Sequence, residues 1–193
     1  MLMNRVIGAF TFRKEVYAEV ERDVEFTNTA WLLVVVISAI NQLGQLPVYG
    51  FSGIGQWLIA SIVAIILSVG GFALGAFLIS WIGQQFFKAE VDFGEMVRVL
   101  GLAYVWNIVG VIGILGFIPF LACILAPIAF IAAIAGLVAW LFAAKEALDL
   151  DWGPTAITVI IGMIANVIIT MVLSGIILGI LGVGAAITSG VLG

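Results

Sequence analysis

Histidine is absent from this 193-residue chain, cysteine occurs once, and only 9% of the residues are charged. Each shortage removes a class of chemistry. Without histidine there is no Ser–His triad and no histidine ligand for haem or chlorophyll. Cys123, the single cysteine, leaves no internal disulfide and no Cys/His zinc set. The basic residues number 7 against 11 acidic ones and are dispersed, so the clustered Lys/Arg footprint that nucleic acid rewards is missing. No G-x-x-x-x-G-K-[ST] run is present, and no G-x-G-x-x-G follows a strand pattern. The start, Met1 to Phe12, lacks the charged end, apolar core and small-residue cleavage site of a secretory signal. Glu90, Asp92, Glu95, Asp149 and Asp151 are the only carboxylates that could converge outside the N-terminal segment and Glu146, and they read as a solvated rim. No cofactor, metal or nucleic-acid partner is expected, and neither is enzymatic activity.

What is abundant is hydrocarbon, at 64% of the residues. A soluble domain carries about 25% charge, and a soluble chain this apolar would expose large sticky patches. Continuous runs such as Trp31–Ile37 do not alternate, which excludes a β-barrel. The charges fall in three clusters, Arg5–Glu25, Lys88–Arg98 and Lys145–Asp151. A charge at a bilayer centre costs about 2.5–3.5 kcal/mol, whereas an apolar residue returns only about 0.3–0.6. Confinement of charge to short clusters therefore reads as membrane topology.

The uncharged stretch from Thr27 to Phe87 is too long for one crossing of a core about 30 Å thick. The Pro- and Gly-bearing segment Gln45–Gln56 supplies the turn. The stretch from Val99 to Ala144 repeats the pattern, with its turn at Gly116-Phe-Ile-Pro119. The expected fold is all-α, a polytopic integral membrane protein of five transmembrane helices. Spans are expected near residues 30–46, 57–82, 96–117, 120–144 and 155–181. A cytoplasmic amphipathic segment, residues 1–28, precedes them, and a short non-cytoplasmic Gly-rich tail, 183–193, follows the membrane domain of 29–182. Asp92 and Glu95 have capping-box spacing, Pro154 suits a helix start, and Asn28 or Thr29 can cap the first span. Pro127 should kink the fourth. Trp31, Trp81, Trp140 and Trp152 are expected at the inner interface, with Trp57 at the outer one.

Functional signals are sparse. In the N-terminal segment, Phe10, Tyr17 and Val20 recur at helical spacing with Arg13 among the intervening charges. Either a helix at the cytoplasmic interface or a partner-docking surface fits that pattern. Gly71 and Gly75, Gly175 and Gly179, and the run Gly110, Gly113, Gly116 let helix backbones approach closely. They serve either packing within one bundle or an interface with a second copy or other membrane subunits. Asn41, Asn107 and Asn166 either fix helix packing or line a polar path.

The segment Phe93-Gly-Glu-Met-Val-Arg-Val-Leu-Gly-Leu-Ala-Tyr104 is similar to the stretch leading into the third span of the Ypt-interacting protein (Yip) domain family. Where that family usually has a proline, this chain has Trp106-Asn107. The segment Ala144–Ala156 resembles the loop before the family's last span, and Asp151-Trp-Gly-Pro154 echoes the family's Asp-Leu-Tyr-Gly-Pro motif at a different place. The chain looks like the compact prokaryotic members; eukaryotic members bind Rab-type GTPases in vesicle traffic. The resemblance implies a five-span membrane fold and carries over no binding residue.

The function expected is that of a non-enzymatic membrane scaffold or adaptor. An accessory subunit of a respiratory or photosynthetic complex is the first alternative, and a small-molecule channel or transporter the second. Lys and Arg number four, two and one in the three clusters and zero elsewhere, which places the N-terminus in the cytoplasm of the cell membrane. A topology reporter fused after Gly193 is expected to read out on the external side; cytoplasmic activity there would remove the five-span count.

Overall fold

The computed structural model describes residues 2–188, with side-chain detail for all of them except Pro119, Ala122 and residues 177–188. No strand occurs among the described residues. Two short helices open the chain, α1 (Leu2–Phe10) and α2 (Lys14–Arg22). The first span is α3 (Phe26–Leu43), followed by the single turn α4 (Leu46–Tyr49). The second is α5 (Ile54–Phe87). The third begins as α6 (Phe93–Ala103) and continues as a 3₁₀ helix over Tyr104–Phe117. The fourth is α7 (Ala122–Leu148) and the fifth α8 (Trp152–Thr188). Five segments are thus long and apolar enough to cross a membrane.

Local chemistry sets the ends. The capping box at the start of α6 forms: Gly94 N donates to Asp92 Oδ2 at 3.0 Å, and Asp92 N donates to Glu95 Oε2 at 2.7 Å. The first span starts at Phe26, so Asn28 and Thr29 lie inside its first turn rather than capping it. Pro154 is the third residue of α8, still within the turn where its missing N–H costs nothing. Pro127 sits in the second turn of α7, where its ring frees only the Cys123 carbonyl. Gly50, at φ 67°, makes the reversal between α4 and the second span with a backbone that other residues avoid.

The five spans form a ring. Going round it, α8 packs on α5, α5 on α3, α3 on the third span, the third span on α7, and α7 closes more loosely back on α8. The core lies at the end where the charged clusters gather. Ile79, Leu100, Leu102, Ala143 and Val159 are all fully buried there. Lys88 follows the last turn of α5 and Lys145 lies in the last turn of α7. Arg13 precedes α2, which packs against α6 and α7, so all three cations occupy one end of the molecule. Trp81 and Trp152 are exposed near that end. Trp31 and Trp140 depart from the interfacial placement, because both rings pack edge-on against Phe72 in the interior, at 5.4 and 6.4 Å.

The N-terminal helices fold onto the ring, and the third span supplies the donors that hold them there. Trp106 Nε1 donates to the Ala9 carbonyl at the end of α1, at 3.3 Å. Arg98 Nε donates to the Val20 and Glu21 carbonyls at the end of α2, at 3.1 and 2.9 Å, and Arg98 Nη2 also donates to Glu21 O. Helix C-termini leave their last carbonyls unpaired, and a cation there also meets the negative end of the helix dipole. Arg98→Ala is expected to cost about 3 kcal/mol, because it strips a buried end of its only side-chain donors. Arg98→Lys should recover part of that, since one ammonium cannot reproduce the guanidinium fork. Thermal unfolding in detergent and protease cleavage within residues 10–25 would check both.

Candidate functional site

Two regions bring functional groups together: the charged end, built around the α1–α2 hairpin, and a cavity in the neutral half of the ring.

At the charged end the apolar face of the hairpin is turned inward. Tyr17 and Val20 are fully buried, and α2 packs against α6 and α7. Phe10 lies edge-on to Trp106 with centroids 5.0 Å apart, and Phe12 stacks on the other side of the link at 5.3 Å. Of the residues proposed for docking, only Arg13 is exposed; the faces of Phe10, Tyr17 and Val20 are occupied by the protein's own bundle. The Tyr17 hydroxyl has no hydrogen-bond partner among the described residues, and burial raises its pKa. Arg5 crosses from α1 to pair with Glu19 at 2.7 Å and Asp23 at 2.8 Å, over the ring of Phe26. The outward face is charged: Lys14, Glu15, Glu19, Arg22 and Glu25 are exposed. Glu21 lies beside the acidic side chains of the two neighbouring clusters. Burial raises its carboxyl above the ordinary 4.5, Asp149, Glu95 and Glu146 add to the shift, and Arg22 opposes it.

The glycines divide into three groups. Gly110 and Gly113 face Asn41 and Gly44 of the first span so closely that a β-carbon would come within 2.5 and 2.6 Å of them. Gly75 lies against Asn166 and Trp140, at 3.1 and 3.4 Å by the same measure. Gly71 has room, with only Thr170 near it at 3.7 Å, and Gly175 meets nothing within 4 Å. The surroundings of Gly179 fall outside the described residues, as do residues 189–193 of the expected tail.

The contact at Gly110 and Gly113 follows from the 3₁₀ conformation. Residues three apart eclipse one another in a 3₁₀ helix, so Tyr104, Asn107, Gly110, Gly113 and Gly116 form one line. The first span answers with Ser38, Asn41, Gly44 and Pro47. Tyr104 Oη and Ser38 Oγ share a hydrogen bond of 3.0 Å, Asn41 Nδ2 donates to Asn107 O at 2.6 Å, and Gly116 faces Pro47. The spacing of three was visible in the sequence, but it does not distinguish a 3₁₀ line from ordinary small-residue packing.

The cavity, about 630 Å³, lies within the ring and is lined by all five spans, the first through Asn41. Asn41, Asn107 and Asn166 all line it, together with Tyr104, Trp106 and Trp140. No charged residue does. Towards the charged end it stops at the layer of Ile79, Leu100, Ala143 and Val159. Towards the neutral end it opens between α7 and α8, where the lining residues Ala133, Leu137, Val167 and Met171 are themselves exposed. Among the described residues no group of three or more His, Cys, Asp or Glu is placed to hold a metal ion.

These features define a multi-pass helical membrane protein whose charged end is assembled from its own N-terminal hairpin. The family model for the Yip1 domain matches residues 7–174, from within α1 to within α8, and the chain belongs to that family. Among curated proteins and solved structures, none matches it. Trp106 and Asn107 have structural work in this chain: the indole holds α1, and the Asn107 carbonyl receives Asn41. The roles of Arg98 and Trp106 were missed from sequence. The signal for Arg98 was a charge two residues inside the expected third span.

Substitutions at the two kinds of glycine should diverge. Gly110→Ala is expected to destabilise the fold by about 2 kcal/mol through overpacking. Gly175→Ala should leave it unchanged or raise it by up to about 1 kcal/mol through helix propensity. Unfolding curves of both variants in one detergent would test the difference.

Proposed function

We propose that the protein is a non-enzymatic adaptor of the cell membrane, with its N-terminus cytoplasmic, and that it presents the charged outer face of the α1–α2 hairpin to a soluble partner. One observation carries this reading. The hairpin is fixed to the third span by Arg98 and Trp106, so its charged face is held in a set orientation instead of hanging from a tether. Because Tyr17 and Val20 are already buried, docking on this face is electrostatic, with Glu15 and Glu25 beside Arg13, Lys14 and Arg22 as the groups available. Family membership agrees with a membrane protein.

The accessory-subunit reading uses the membrane face, where Gly70 and Gly175 are open small residues. The transporter reading gains from the convergence of three asparagines in one cavity. It loses from the fully buried layer beneath, which leaves no continuous path to the charged end.

Photoreactive residues placed at Glu15 and at Gly175 separate the first two readings. The adaptor predicts salt-sensitive adducts with a soluble protein from position 15, reduced by Glu25→Lys. Adducts with membrane subunits from position 175 alone would replace it with the accessory-subunit reading.

A further inference from the structure

The adaptor reading leaves the cavity unused. We infer that it binds one uncharged lipid-like amphiphile, a long hydrocarbon chain with a hydroxyl- and carbonyl-bearing head such as a monoacylglycerol, which enters from the bilayer between α7 and α8.

The volume of about 630 Å³ lies within the range of about 300–1,000 Å³ usual for small-molecule pockets. Its walls are largely apolar and aromatic, including Phe72, Trp140 and Val167. Hydrocarbon is therefore the bulk of what fits. Three asparagines interrupt these walls, and their hydrogen bonds are incomplete. Asn166 Oδ1 accepts from Thr170 Oγ1 at 3.3 Å, while Asn166 Nδ2 has no acceptor among the described residues. Asn41 and Asn107 each donate through Nδ2, to Asn107 O and Tyr104 O, so their Oδ1 atoms remain without a donor there. The unspent groups are thus one amide donor and two amide acceptors. A carbonyl answers the first and a hydroxyl answers the second. The uncharged lining excludes a phosphate or carboxylate head, because nothing in the cavity offers a cation to an ion taken out of water.

Access decides between a membrane amphiphile and an aqueous solute. The end facing the charged clusters is closed by fully buried side chains, and the opening lies among exposed Leu137, Val167 and Met171 on spans that face lipid. The α7 wall consists of small residues, Ala129, Ala132, Ala133 and Gly136, so a chain can lie flat against it.

The full-length protein, reconstituted in phosphatidylcholine vesicles, would be labelled with a diazirine-bearing monoacylglycerol, with a diazirine phosphatidylcholine as the comparison. Saturable monoacylglycerol labelling is expected, mapping to α7 and α8 and competed by unlabelled monoacylglycerol. Asn166→Leu should reduce it about five- to tenfold, the loss of one hydrogen bond of ordinary strength. Ala133→Trp, which fills the cavity, should abolish it. Thermal unfolding identifies any variant that fails to fold, and Asn166→Leu decides the matter if Ala133→Trp does not fold. The inference is overturned by non-saturable labelling that Asn166→Leu leaves unchanged, by equal saturable labelling with the phosphatidylcholine probe, or by a protomer–protomer adduct in place of lipid labelling.

Discussion

A guanidinium inside the protein, with no carboxylate within 4 Å among the described residues, is the constraint on which the charged end depends. Arg98 is only 5% exposed. Taking such an ion from water costs several kcal/mol unless dipoles replace its hydration. The replacements are carbonyls at the end of α2, where the helix carries about half a negative charge, and more weakly the Thr27 hydroxyl at 3.4 Å. The dependence runs both ways. Without α2, Arg98 would be an unpaired charge at the start of the third span. Without Arg98, Glu21 O would lose its side-chain donors, Val20 O would keep only Asp23 N at 3.3 Å, and the inward face of Tyr17 and Val20 would lose its anchor. The hairpin is for this reason a part of the membrane domain's core and not an appendage to it.

A second matching system operates further along the same span. The line of Tyr104, Asn107, Gly110, Gly113 and Gly116 meets the first span through a hydroxyl pair, a side chain to carbonyl bond, and two glycines, Gly44 and Gly113, whose β-carbons would strike the facing backbone. These contacts on one side of the third span leave its other side, with Trp106, to face α7 and the hairpin. The cavity lies alongside this line, with Tyr104, Asn107 and Gly110 in its wall. Below it the ring is packed with fully buried side chains, and above it α7 and α8 separate, with residues on both that face outward.

Much of the architecture was legible because it is governed by large, local energies. The cost of charge in lipid fixed the number of spans, and the charged clusters lie together at one end as that cost demands. The capping box of Asp92 and Glu95 is written in adjacent residues and forms as read. Relations between distant residues were not legible. An amphipathic pattern shows that Tyr17 and Val20 share an apolar face, but not that the face meets α6 and α7. Gly71 and Gly75 look equivalent in sequence, yet one lines the cavity and the other is wedged against Asn166. Nothing local foretells that Asn41, Asn107 and Asn166 will share a cavity, because three separate helices must first close into a ring. Trp31 and Trp140 misled for a related reason: a tryptophan near a span end suits an interface, and Phe72 offered these two a ring to pack against instead.

The 3₁₀ stretch behaves like a vernier scale cut against the first span. Reverting a single residue of it to α geometry would shorten the segment by about 0.5 Å and turn everything beyond by about 20°. Four such steps would swing the glycine edge roughly 80° away from Gly44 and Pro47 and drag Phe117 off its stack with Phe51, whose rings are parallel to within 5°. A change of winding near Tyr104 therefore displaces every tooth of this rack, whereas one near Gly116 spares the engagement at Ser38 and Asn41 and loosens only the far end.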